Sequence, residues 1–187
     1  MNQLNETSVT IISGTNRKNS NTLKIAVNYQ QILREKGFHS ALLSLADVNI
    51  LEKSADFEEI ENEFLIPATH FIIVAPEYNG SFPGVLKLLI DNSRVKLVWN
   101  NKKALLTGVA TGRSGNLRGL DHLTSVMNHM KVTVYHNKLP ISVVDTLLDE
   151  KDQIINAITI KAINQQLDEF IAWADLKPEL PIPNHKS

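Results

Sequence analysis

Phe71-Ile72-Ile73-Val74-Ala75-Pro76-Glu77-Tyr78-Asn79-Gly80-Ser81-Phe82-Pro83-Gly84 is the stretch that decides the fold. Its first five residues form a continuous apolar run, as in a central parallel strand covered on both faces. The run ends where two prolines and two glycines bracket an aromatic, an amide and a hydroxyl. From Pro83 to Ser93 the spacing predicts a helix, with proline at a first-turn position. Strand, polar loop and helix in that order are the unit of an α/β sheet.

The same unit repeats outward in both directions. Before it, Val9 to Ser13 predicts a buried strand. Asn21 to Lys36 predicts a helix, with Leu23, Ile25, Ala26, Tyr29, Ile32 and Leu33 near helical spacing and Gly37 as its capping glycine. Ser40 to Leu45 predicts a second strand. Asp56 to Leu65 predicts an acidic surface helix whose Glu58, Glu59, Glu61 and Glu63 make a solvated face. After it come a strand over Lys103 to Val109, a helix over Leu117 to Met130, a short strand over Val132 to Tyr135, and a long helix over Asp152 to Ala174. A polar, Pro-rich tail follows from Lys177 to Ser187. Such alternation implies a parallel sheet with right-handed crossovers and helices on both faces. The five predicted strands fit the doubly wound, flavodoxin-like order 2-1-3-4-5. One domain over residues 1–187 is expected, with its core at about 8–175. In this order a ligand sits outside the carboxyl ends of the strands, where the loops after the first and third strands diverge.

Composition narrows the function classes. The chain has 187 residues, 43% hydrophobic and 21% charged, with a formal net charge of −1. That balance gives no basic face for a nucleic-acid backbone. There is no cysteine, which excludes disulfides, thiolate catalysis and zinc–thiolate sites. Met1 to Ser8 does not read as a signal peptide, and no apolar run approaches membrane length. A cytoplasmic protein without membrane contact is the expectation.

Two more loops carry chemistry. Gly14-Thr15-Asn16-Arg17-Lys18-Asn19-Ser20-Asn21-Thr22 holds three hydroxyls, three amides and two cations, and no acid occurs from Thr7 through Arg34. A helix start offers free N–H groups and the positive end of a dipole, so an anion is welcome there. Arg17 can grip phosphate oxygens in a bidentate manner. Helix capping by Ser, Asn and Thr is the plainer explanation of the same residues. The loop is neither Gly-x-x-x-x-Gly-Lys nor Gly-x-Gly-x-x-Gly. The fourth loop, Ala110-Thr111-Gly112-Arg113-Ser114-Gly115-Asn116, is again polar and glycine-rich. Gly112-Arg113-Ser114 approaches the nucleophile elbow Gly-x-Ser-x-Gly, but Asn116 occupies the last slot. A hydrolase would also need His136 and Asp145, which stand in the wrong chain order. His122 and His129 share one helix without a third metal ligand, and Trp99 and Trp173 read as packing residues.

Taken together, the three loops resemble the NADPH-dependent FMN reductase family, which includes flavin-dependent azoreductases, quinone reductases and chromate reductases. The family's Gly-Ser-x-Arg-x-x-Ser-x-Asn loop reads here with Thr15 for the serine and Thr22 for the asparagine. Its second signature, Pro-Glu-Tyr-Asn then Pro-Gly-x-Leu-Lys-x-x-Ile-Asp, spans Pro76 to Asp91 nearly whole. The resemblance implies that Thr15, Arg17, Ser20 and Thr22, with Asn21 beside them, hold the FMN phosphate. It implies that Pro76, Glu77, Tyr78, Asn79 and Gly80 line the isoalloxazine with Ser81 close by, and that Thr111, Gly112 and Arg113 meet its pyrimidine edge. The fourth loop departs from the family's commoner double-glycine form at Arg113 and Ser114. No side chain is then required as acid, base or nucleophile, because the cofactor carries the chemistry. NADPH or NADH would give hydride to the flavin, leave, and yield its place to a small acceptor in a ping-pong sequence. A homodimer or homotetramer is implied as well. Two neighbouring readings share the topology: a flavodoxin-type electron carrier, which is usually strongly acidic, and a cofactor-free binding module. A receiver-type signalling domain would need acids where Ser13-Gly14 and Ala75-Pro76 stand.

Overall fold

In the computed structural model, residues 8–178 are described, apart from Asp47. The predicted tail lies outside the described residues beyond Pro178. Five parallel strands form the expected frame: β1 (Val9–Ser13), β2 (Ser40–Ser44), β3 (His70–Pro76), β4 (Lys103–Val109) and β5 (Thr133–Val134). Their order is β2-β1-β3-β4-β5, the doubly wound flavodoxin-like arrangement. The helices are α1 (Asn21–Glu35), α2 (Ala55–Ile60), α3 (Gly84–Asn92), α4 (Val95–Val98), α5 (Leu117–His129) and α6 (Ala157–Ala174).

Strand β3 is buried along its whole length, as its unbroken apolar run requires. The pleat still sorts its side chains by period two. Phe71, Ile73 and Ala75 join Leu86 and Leu89 of α3 and Leu120 and Leu123 of α5 in one core. Ile72 and Val74 join Ile25 and Tyr29 of α1 and Ile163 and Phe170 of α6 in the other. Each fully buried Ile, Leu or Phe contributes about 1.5–3 kcal/mol, so the two cores fix which face each strand side chain takes.

Four elements differ from the sequence expectation. The fifth strand is broken. After β5 the chain leaves the sheet, and a sixth strand, β6 (Leu139–Ile141), returns to pair with the far end of β4. Between the two pieces, Gln166 of α6 donates its Nε2 to Leu106 O of β4 at 3.2 Å and to Asn137 O at 2.8 Å. A side chain thus satisfies the carbonyl that a continuous strand would have taken. The acidic helix is also wrong in one detail. It widens at Glu61–Leu65 into a π-turn, and Glu61 is only 3% exposed. Its carboxylate accepts from Arg94 N at 2.6 Å and Arg94 Nε at 2.8 Å, so Glu61 does not belong to a solvated face. The short helix α4 was not anticipated; it delivers Trp99 into the core against Phe71, with ring centroids 4.9 Å apart. Finally, α6 begins at Ala157 rather than at Asp152. Asp149 Oδ1 gathers Lys151 N and Gln153 N into a turn, and Asn156 then caps the helix through Thr159 N at 2.9 Å.

Candidate functional site

The registers align the carboxyl ends of the central strands, Ser13 opposite Val74 and Ala75 opposite Gly108. The three polar loops therefore leave the sheet side by side. Between them lies a cavity of about 610 Å³, within the usual range for small-ligand sites.

Arg17, Lys18, Ser20, Asn21 and Thr22 form the first wall. Ser20 caps α1, its Oγ accepting from Leu23 N at 3.1 Å. No acid stands in the first turn of α1, so its dipole end faces the cavity uncompensated. Gly14 precedes this wall because a Cβ there would meet Leu86 Cδ2 at 3.0 Å and Val74 O at 3.1 Å.

Pro76 to Gly80 form the second wall. Tyr78 and Ser81 exchange backbone hydrogen bonds at 2.9 and 3.2 Å around Asn79 (φ 53) and Gly80 (φ 82). Two positive φ values across Asn-Gly are the mark of a type I′ turn. That dipeptide was the available sequence signal for a miniature hairpin inside the loop. Tyr78 also ties the first two walls together. Its hydroxyl shares a 2.6 Å hydrogen bond with Thr15, and the Arg17 guanidinium lies 4.1 Å above its ring.

The third wall is Val109, Ala110, Thr111, Gly112 and Ser114, completed by Val144. The segment after β6 braces it from behind. Val143 N donates to Gly112 O at 3.1 Å, Val144 N to Ala110 O at 3.2 Å, and Ser142 Oγ to Arg113 O at 2.9 Å. Val143 holds φ 44, a costly conformation for a β-branched residue. In front, Ser114 Oγ donates to Glu77 Oε2 at 2.6 Å, joining the third wall to the second.

Of the residues singled out in the sequence, Thr15, Ser81 and Arg113 do not line the cavity. Thr15 is fully buried under Tyr78, Ser81 shares a 3.0 Å hydrogen bond with Nδ1 of His122, and Arg113 is exposed on the fourth loop. The others selected there all line it. Sequence reasoning missed Lys18, Ser114, Val109, Ala110 and Val144. Lys18 and Ser114 lay inside loops already identified by their polarity. Val144 carried no local signal, because β6 brings it in from another segment. The partner of Ser114 is a carboxylate rather than an imidazole, which disposes of the hydrolase geometry. Among the described residues no group of three or more His, Cys, Asp or Glu could hold a metal ion. No described helix is long and apolar enough to cross a membrane.

A family model described as NADPH-dependent FMN reductase matches residues 7–144. A 2-hydroxy-1,4-benzoquinone reductase from Burkholderia sp is 29% identical over 126 residues, 64% of this chain and 69% of that protein. FerB, a flavoenzyme NAD(P)H:(acceptor) oxidoreductase from Paracoccus denitrificans, superposes with a TM-score of 0.76 at 19% identity, over 90% of this chain and 97% of that one. The apo form of EMOB, an NADH:FMN oxidoreductase, gives 0.71 at 20% identity, over 92% of this chain and 91% of that one. At such identities the two structures testify to the fold.

Proposed function

This chain belongs to the NADPH-dependent FMN reductase family, and from that premise we propose that it carries two electrons from NAD(P)H to a small acceptor such as a quinone, an azo compound, a flavin or a metal oxyanion. The protein is an FMN-dependent oxidoreductase. FMN held in this cavity would supply the two-electron chemistry between the nicotinamide and the acceptor.

The residues present fit that group. The start of α1, with Arg17, Lys18, Ser20, Asn21 and Thr22, offers free N–H groups, hydroxyls and two cations for a phosphate. Thr15 contributes indirectly by pinning Tyr78. Pro76 to Gly80 and Thr111 to Gly112 supply two facing backbone edges for a flat heteroaromatic ring, with Ser81 and Arg113 just outside them. The first and second walls are fastened at Tyr78, and the second and third at Ser114, so the ledge is fixed before a ligand arrives. Donor and acceptor would use this one cavity in turn, which gives a ping-pong order.

The observation that carries this reading is the convergence of three loops, each chosen for its chemistry, on one cavity at the switch point of the sheet. The test is the visible spectrum of the purified protein, with the released chromophore identified by mass, followed by anaerobic mixing with NADPH or NADH. Retained FMN that bleaches with either donor is the expected result. FMN that neither donor bleaches would leave a carrier, and a protein that refuses FMN would overturn the assignment. Parallel double-reciprocal plots for donor and acceptor would support the alternating order, and intersecting plots would reject it. The chain is further read as a homodimer or homotetramer, which light scattering tests. Val95 and Leu97 on α4, 39% and 53% exposed, are apolar groups that assembly would cover.

A further inference from the structure

Glu77 is the one carboxylate among the described residues that line the cavity. It is held at both ends. Its backbone N–H donates to Val109 O at 3.2 Å, extending the β3–β4 ladder by one residue. Its side chain accepts the Ser114 hydroxyl at 2.6 Å, the short range of a charge-assisted bond. Ser114 is itself anchored, its carbonyl accepting from Leu117 N at 3.1 Å where α5 begins. Among the described residues no Lys or Arg forms an ion pair with Glu77. Arg17 lies instead over Tyr78. The cavity wall therefore carries a fixed negative charge with no cation paired to it.

Such a charge has a direct consequence for a site that receives hydride. Hydride uptake brings two electrons and one proton, so the contents of the cavity gain one unit of negative charge while the nicotinamide becomes a cation and leaves. The acceptor then removes the two electrons and that proton, and takes its second proton from water. A carboxylate on the wall opposes the gain of charge and favours its loss.

We propose that Glu77 sets how tightly the reduced cofactor is held relative to the oxidised one, and that Ser114 is the positioning residue that keeps its carboxylate on the cavity wall. The proposal rests on the FMN reading above and adds to it a determinant of driving force.

The test uses the full-length protein and FMN, with affinities for oxidised FMN and for dithionite-reduced FMN measured anaerobically by ultrafiltration. Glu77→Gln keeps the size and the hydrogen-bond acceptor but removes the charge. It is expected to leave oxidised FMN within about twofold and to tighten reduced FMN about tenfold, equivalent to about 30 mV for a two-electron couple. Ser114→Ala keeps the charge but frees it to swing into water, so a smaller shift in the same direction is expected, and Ser114→Thr should restore the wild-type ratio. A Glu77→Gln protein whose two affinities move together, or not at all, overturns the role of the charge. A Ser114→Ala protein with the wild-type ratio overturns the positioning role. Wild-type protein that takes up neither form of FMN overturns the FMN reading itself, which separates the two failures.

Discussion

The two ends of the sheet treat charged groups in opposite ways. At the amino end three of them are paired within the protein, although Ser40 Oγ, His70 Nε2 and Trp99 Nε1 are buried there without a partner among the described residues. Lys102 Nζ donates to Leu65 O at 2.7 Å and Ile66 O at 2.9 Å, closing the π-turn after α2. Lys103 Nζ donates to Ala174 O at 3.1 Å at the end of α6. Glu61 grips Arg94 through two oxygens. At the carboxyl end, Arg17 and Lys18 are exposed beside a helix start that has no acid in its first turn. Binding capacity left open at one end is affordable because bonding at the other end and the two apolar cores hold the fold. Substitutions at the amino end should therefore move stability and leave FMN affinity alone, and those at the carboxyl end should do the reverse.

The largest effect is expected at Glu61. Glu61→Ala removes a buried carboxylate and leaves Arg94 N and Nε without their acceptor, and should cost about 3 kcal/mol in urea unfolding, with FMN affinity unchanged. A change in affinity of more than threefold would break the division between the ends. The next concerns His70, whose pKa is lowered to about 4 by burial first and by the charge of Lys103 second. The unfolded chain then binds a proton that the folded chain refuses, so this contribution is whole above pH 6.5 and drains away as pH falls toward 4. At pH 5 the loss should reach about 2 kcal/mol. His70→Phe should flatten the stability profile between pH 6.5 and 4, and an unchanged slope would assign it elsewhere. Lys102→Met leaves two carbonyls without their donor and should cost about 1.5 kcal/mol, read as a lower urea midpoint with an unchanged slope. The smallest effect in free energy belongs to the open end. Arg17→Ala should weaken FMN about tenfold, about 1.4 kcal/mol, with the melting temperature of the FMN-free protein held within a degree or two. Unchanged FMN affinity would remove Arg17 from the phosphate site.

The sequence announced what is local. The unbroken run in β3, the bounds of β1 and β4, the capping position of Ser20 and the three polar loops all follow from neighbours within a few residues. What it concealed depends on distant partners. Glu61 looks like any surface glutamate until Arg94, 33 positions on, is folded against it. The break in the fifth strand depends on Gln166, 60 positions from the carbonyl it satisfies. Val144 reaches the cavity only because β6 docks on β4, and the strained Val143 before it is invisible to propensity. Local composition thus located the candidate site. The bracing of its third wall came from packing.

The broken fifth strand has one more consequence. An uninterrupted strand at the border of a sheet invites a neighbouring chain to pair with it. Here that border is two short pieces, Thr133–Val134 and Leu139–Ile141, with an amide side chain wedged between them and a proline, which has no N–H to offer, at position 140. The sheet cannot be continued on this flank. Molecules crowded together while folding find no long template on this side for stacking into fibres.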